Sequence, residues 1–335
     1  MLEAPRTIIS IKLIATSCGE DDKFLLAYVF FKLGLIKGKC LIFVADVDRS
    51  YRLRLFLEQF GIKSCVLNPE MPITTRLHIV EQFNRNIYDI IIACDDSNVG
   101  GLQSRTKTPS MSASGEYSAA RGVDFHHVST VLNFDFPVSA TSYTHRVGRT
   151  ARAGRTGTTL SFVVPKELYR KHAPTSIPSA QNDEDVLADV EKDQTNQGRT
   201  LKPYVLDKQQ LEPFRYRFGD ALRNVTKLAV RGARVRELKQ ELLKSEKLKR
   251  HMEEDPTVSD YLRHDSELRI IRQQPHLKHV PGYLLPTRDT HASANQDGVS
   301  LLSRGSGTGI GKRRKVSKPK SGSRKKDPLR SFTNR

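Results

Sequence analysis

The run LIFVADVDRSYRLRLFLEQFGI, residues 41–62, reads as a buried strand leading straight into an amphipathic helix. Residues 41–45 are apolar without alternation, the pattern of a parallel strand covered on both faces. Over residues 48–60 the period lengthens, and Leu53, Phe56, Leu57 and Phe60 fall on one face of a helix. The same unit repeats outward. Strands are predicted at 64–67, 90–94, 128–133 and 159–164, and helices at 21–33 and 74–84, with Asp48 and Thr74 standing where N-caps belong. Strand and helix units of this size, repeated between residues 7 and 165, predict a doubly wound α/β domain.

Composition sets the bounds around this domain. The 335 residues are 37% hydrophobic, enough for one well-buried core with residues to spare. Lys and Arg number 55 against 37 Asp and Glu, a formal charge of +18, which raises the local concentration of polyanions and makes nucleic acid the leading partner. No apolar run approaches the roughly 20 residues of a spanning helix. No charged start with an apolar core suggests a signal peptide, so the expectation is a soluble, intracellular protein with no membrane partner. Oligomerisation is not indicated. Cys18, Cys40, Cys65 and Cys94 are widely spaced, and His126 and His127 have no ligand partner at metal spacing; reduced thiols and no protein-built metal site are expected.

Three stretches depart from the strand and helix pattern. Residues 97–120 carry six serines and three glycines and read as an insertion in a loop. Residues 173–200 are polar and read as a linker, separating a first domain at 1–172 from a helical basic extension at 201–290. In that extension Phe218, Leu222, Val225, Ala229, Val235, Leu238 and Leu242 form an apolar stripe along one helix, residues 211–252. Arg215, Arg217, Arg223, Lys227, Arg231, Arg234, Arg236 and Lys239 lie on its other side, either a grip for phosphates or a solvated face that Glu237 and Glu241 partly neutralise. Residues 291–335 form a tail expected to be disordered. Its run 312–326, beginning Lys312, Arg313, Arg314 and Lys315, has nine Lys or Arg and no acid, and suits a nuclear address or an RNA clamp.

The chemistry concentrates in HRVGRTAR, residues 145–152. Arg149 and Arg152 lie three apart, so on a helix they project together and could meet one phosphate tail. Arginine suits a transferring phosphoryl group because it stays charged and donates from a planar fork. Twenty residues upstream, Arg121, Gly122, Val123 and Asp124 form a glycine turn ending in a carboxylate that could accept from a ribose hydroxyl.

Together ARGVDFHHVSTVLNFDFP and SYTHRVGRTARAGRTG closely resemble motifs V and VI of the DEAD-box RNA helicases. Residues 41–62 resemble the family's motif IV region, and Arg76 in PITTRLHIVEQF matches the arginine of motif IVa. The likeness continues through FRYRFGDALRNVTKLAVRGARVRELKQELLKSEKLKR, PHLKHVPGYL and DPLRSF to the nucleolar members that act in large ribosomal subunit assembly. It implies a RecA-like fold for the α/β domain. It also implies arginine fingers on the ATP γ-phosphate at Arg149 and Arg152, interdomain coupling residues at His145 and Arg146, and a ribose ligand at Asp124. RNA-backbone contacts are implied at Arg76, Arg121 and Gly122. Two departures touch the RNA contacts: Cys94 stands where the family has the threonine of Thr-Asp, and Thr74 and Thr75 fill the neighbourhood of the motif IVa glutamine.

No phosphate-cradling glycine loop with its Lys-Ser/Thr, and no Asp-Glu-Ala-Asp, occurs in the chain. GSGTGIGKR, residues 305–313, is a poor imitation, with Ser306 at the first required glycine and Arg313 in place of the magnesium-ligating hydroxyl. The chain is therefore expected to be the second domain and tail of a helicase, a fragment of a longer protein. ATP and Mg2+ would bind only together with a first domain. Pre-ribosomal RNA and pre-ribosomal particle proteins are the expected partners, and the nucleus and nucleolus the expected location. The alternative is a non-catalytic module that binds RNA or pre-ribosomes.

Overall fold

The computed structural model describes residues 11–94, 124–152, 156–204, 208–245, 274–281 and 284. Seven strands run through them: β1 (Ile11–Ser17), β2 (Lys39–Val44), β3 (Cys65–Leu67), β4 (Ile90–Cys94), β5 (Val128–Asn133), β6 (Gly157–Val163) and β7 (Leu201–Pro203). They form one sheet in the order β3-β4-β2-β5-β6-β1-β7, parallel at every pairing. Between them lie α1 (Asp22–Lys32), α2 (Val47–Gln59), α3 (Ile73–Asn84), α4 (Ala140–Val147) and α5 (Asp183–Asn196). The chain moves one way across the sheet through α1 and α2, and the other way through α3, α4 and α5. Right-handed crossovers then put the two sets on opposite faces, and the buried clusters divide in the same way. This is the doubly wound, RecA-like architecture.

Leu53, Phe56, Leu57 and Phe60 are all fully buried on α2, against Phe24 and Tyr28 of α1. Outside these two helices lies a third layer, α6 (Lys208–Asn224) and α7 (Lys227–Lys244). Phe214 meets Tyr28 and Phe218 meets Phe56, so the extension shares the core of the sheet domain.

Several expectations need correction. The helix starts are capped by neither Asp48 nor Thr74: the N-cap positions are Asp46 and Pro72, neither with a side-chain cap bond. Residues 173–200 are not a linker. They fold into a turn, Pro178–Asn182, and α5, which buries Val190 against Tyr143 and Val147 of α4. Strand β1 joins β6 to β7 and extends the sheet beyond the strands expected from the pattern. The basic extension is not one helix: the chain breaks at Val225, and the Thr226 hydroxyl accepts from Ala229 N to start α7. That break shifts the phase of the stripe. Val230 faces the core, while Leu228 and Leu242 stand 67% and 43% exposed.

The carboxyl edge of the sheet, where open α/β sheets commonly bind ligands, is filled by the protein's own charges. Lys23 and Asp135 are both fully buried, 3.4 Å apart, and Arg49 Nε donates to Asp135 at 2.7 Å. Arg49 stacks against Phe24 and Phe134 and donates to the Thr175 carbonyl. Asp183 closes the group, accepting from Val164 N at 3.1 Å with Lys23 4.0 Å away. Burial pushes the Asp183 carboxyl up from 3.8 to about 6, with Lys23 only partly opposing it. A carboxyl raised in this way favours folding fully below its unfolded pKa and loses that contribution as pH rises through the folded one. Between pH 4 and pH 6–7 the wild type should therefore lose stability relative to Asp183→Asn. Urea unfolding at the two pH values checks this, and parallel behaviour of the two proteins would refute it.

Candidate functional site

The opposite, amino edge of the sheet carries a cavity. It encloses about 280 Å³ and is lined by Asp124, Phe125, His126, His127, Val128, Arg149 and Arg152. Three elements build it. The segment 124–127 leads into β5, and its backbone is fixed by Asn84, the last residue of α3. The Asn84 side chain donates to the Asp124 carbonyl at 3.1 Å and accepts from His126 N at 2.9 Å. Helix α4, capped by the Ser139 hydroxyl on Ser142 N, runs back from the carboxyl edge and delivers Arg149 just past its end. Thr150 then ties this turn to β5 by donating to the Val128 carbonyl at 2.8 Å.

The turn is tightly packed. A Cβ on Gly157 would meet the Thr150 hydroxyl at 2.4 Å, so only glycine fits there. His127 and Ala151 both hold left-handed φ angles, 62° and 54°, on either side of the cavity. Backbone held in that region by non-glycine residues collects at binding sites, where the surrounding packing must maintain it.

Asp124, Arg149 and Arg152 thus come together from positions up to 28 residues apart. Arg152 pairs with Asp124 at 3.0 Å and also donates to the Gly148 carbonyl at 2.9 Å. Burial, then the charge of Arg152, lowers the pKa of Arg149, and Asp124 opposes the shift. Asp124 thus stands with two guanidinium groups at one cavity.

The other expected site residues lie elsewhere. Arg146, from the same helix, turns inward, donating to the Asp135 carbonyl at 2.8 Å and to Asn133 Oδ1 at 3.4 Å, with its guanidinium over Phe43. His145 is exposed on α4. Arg76 lies in the first turn of α3, at the carboxyl edge, and its Nε is buried with no hydrogen-bond acceptor among the described residues. Arg121, Gly122, Lys312, Arg313, Arg314 and Lys315 fall outside the described residues, as do the insertion at 97–120 and the tail. Asn84 is the residue that sequence reasoning missed; an amide at a helix end gave no sign that both its polar atoms are used on the pocket backbone.

Three arginines of the basic extension are engaged within the chain. Arg217 is buried and donates to the carbonyls of His276, Leu277 and His279. Arg215 pairs with Asp22 at 3.1 Å, and Arg234 with Asp48 at 2.7 Å and with both oxygens of Glu70. Among the described residues no helix is long and apolar enough to cross a membrane. No group of three or more His, Cys, Asp or Glu is placed among them to hold a metal ion.

A sheet of this topology is that of a RecA-like domain. Residues 23–154 match the helicase conserved C-terminal domain. The chain carries a DEAD-box helicase C-terminal domain. It is 53% identical over 345 residues to the ATP-dependent RNA helicase DBP9 of Gibberella zeae, covering 94% of this chain and 56% of that protein. It is 50% identical to dbp9 of Botryotinia fuckeliana, covering 94% and 58%. Among solved structures it is similar to the C-terminal domain of the DEAD-box protein Dbp5, with 25% identity and a TM-score of 0.43 over 58% of this chain and 92% of that one. The chain spans a little over half the length of the two curated relatives.

Proposed function

We propose that this chain acts as the second RecA-like half of an ATP-dependent RNA helicase. The observation that carries this reading is the meeting of Asp124, Arg149 and Arg152 around one cavity. Arg149 and Arg152 hold the γ-phosphate of ATP presented by a first domain, and Asp124 holds its ribose. Two forked cations there stabilise the charge that spreads over the transferring phosphoryl oxygens. ATP and Mg2+ bind at the junction, and the metal belongs to the first domain. His145 and Arg146 couple the two domains. Arg146, anchored to the strand end at Asn133 and Asp135, would transmit a shift of α4 into the sheet.

RNA lies across the carboxyl edge, where the first turn of α3 has no side-chain cap and carries Arg76. A helix N-terminus of this kind favours phosphate. Arg121, Gly122 and the basic run from Lys312 to Lys315 extend the RNA contact in this proposal. The nucleotide cavity and the RNA surface sit at opposite edges of one sheet, joined by α3, which carries Arg76 at one end and Asn84 at the other. The names of the relatives and the basic balance support RNA as the substrate. We assign the work to ribosome assembly in the nucleolus, on pre-ribosomal RNA with pre-ribosomal proteins.

Strand separation checks the reading. The chain joined to the first domain of a DEAD-box helicase of the same subgroup should unwind a short RNA duplex in the presence of ATP. The chain by itself should only bind it. Duplex unwinding without the first domain, or none in the joined protein that still binds RNA and ATP, would contradict the proposal.

A further inference from the structure

Helix α7 reaches past α2 to the start of α3. Its middle is tied to α2, with Arg54 donating to Glu237 at 3.2 Å. Arg234 also pairs with Asp48 of α2 at 2.7 Å, and two further links go to the segment that launches α3. Arg234 grips both carboxylate oxygens of Glu70, and Glu241 accepts from the Thr75 hydroxyl at 2.5 Å. Glu70 is itself fixed from the other side. Its N–H donates to Asn68 Oδ1 at 2.9 Å, and the Asn68 amide donates to the Tyr51 hydroxyl of α2 at 3.2 Å.

This arrangement matters because α3 has no cap of its own. Pro72 precedes it and offers no side-chain acceptor, so the first turn is held by its neighbours. The residue next to Thr75 is Arg76, whose buried Nε lacks an acceptor among the described residues. A forked guanidinium on a carboxylate fixes direction as well as distance. With Glu70 and Glu241 only 24% and 15% exposed in their side chains, these links are better shielded than ordinary surface pairs.

We propose that Arg234 and Glu241 are positioning residues for RNA binding: α7 braces the first turn of α3 and so aims Arg76 at the RNA backbone. The inference rests on the reading of Arg76 as an RNA contact. It gives the helical extension a part in the interface that does not require its own basic side chains to touch RNA.

The test is a set of cycles read by fluorescence anisotropy of a labelled single-stranded RNA with the full chain at several salt concentrations. Glu70→Gln removes a negative charge near a surface that binds a polyanion, so charge alone predicts tighter binding. The brace predicts the reverse, a loss of roughly three- to tenfold, as expected for residues coupled in one hydrogen-bond network. Arg234→Met and Glu241→Gln should give losses of similar size. In an Arg76→Ala background Glu70→Gln and Glu241→Gln should cause no further loss, since the residue they aim is gone, and Arg234→Met should lose only what removing one positive charge costs. Arg76→Ala alone should lower the salt slope by about one.

Tighter binding by Glu70→Gln, or losses that persist in full beside Arg76→Ala, would overturn the brace while leaving Arg76 an RNA contact. Unchanged affinity and slope on Arg76→Ala would instead remove the reading on which the brace depends. Glu70→Gln and Glu241→Gln keep side-chain shape, and their unfolding midpoints, measured alongside, identify any loss that comes from unfolding.

Discussion

Changing Arg149 to Lys should lower RNA-stimulated ATP hydrolysis by about three orders of magnitude, the lower end of what an arginine finger contributes. The rate is to be read with the chain joined to a DEAD-box first domain. The size follows from the pocket. Arg149 is partly withdrawn from water, and both burial and Arg152 disfavour its charge in the resting state. An arriving phosphate relieves that cost, most of all when charge builds on its oxygens. Lysine keeps the charge and loses the fork, so it meets one oxygen where arginine meets two. Single-turnover rates at saturating ATP separate this loss from weaker binding. A loss below tenfold, with the fold intact, would mean that Arg149 does not reach the transferring group.

Asp135→Asn should cost about 3–5 kcal/mol, the usual range when one partner of a buried ion pair is removed. Burial raises the Asp135 carboxyl, but Arg49, then Lys23 and the Ala45 N–H, outweigh it and hold the group below the usual carboxylate range. Neutralising it leaves Lys23, fully buried, and Arg49, 5% exposed, with much less compensation. Asp183 cannot replace it, since it lies 4.0 Å from Lys23 and is already bonded to Val164 N. Urea unfolding measures the cost directly. A change under 1 kcal/mol would show that the carboxyl edge is held by packing alone.

The elements legible in the sequence were those whose burial is written in local pattern. Residues 90–94 and 128–133 form strands with the bounds expected from their apolar runs, and the α2 face holds Leu53, Phe56, Leu57 and Phe60 as spaced. What escaped was burial decided by distant partners. The burial of Lys23 and Arg49 has no local sign in the sequence, because Asp135 lies 112 and 86 residues away. Arg217 read as part of a basic face, yet it is consumed by carbonyls about 60 residues on. Helix α5 was taken for a linker on its polarity, although Asp183, Glu184 and Asp185 in its first turn suit a helix N-terminus, and Val186 and Val190 share a face. The pocket was half legible: Arg149 and Arg152 sit three apart in the chain, while only the fold brings Asp124 beside them.

ATP hydrolysis under saturating RNA decides whether Asp124, Arg149 and Arg152 form one half of an ATP site completed by another domain. The rate is compared for the chain alone, a DEAD-box first domain alone, and the two joined by a flexible linker. Turnover is expected only in the joined protein. Equal turnover by the first domain with and without this chain would contradict it.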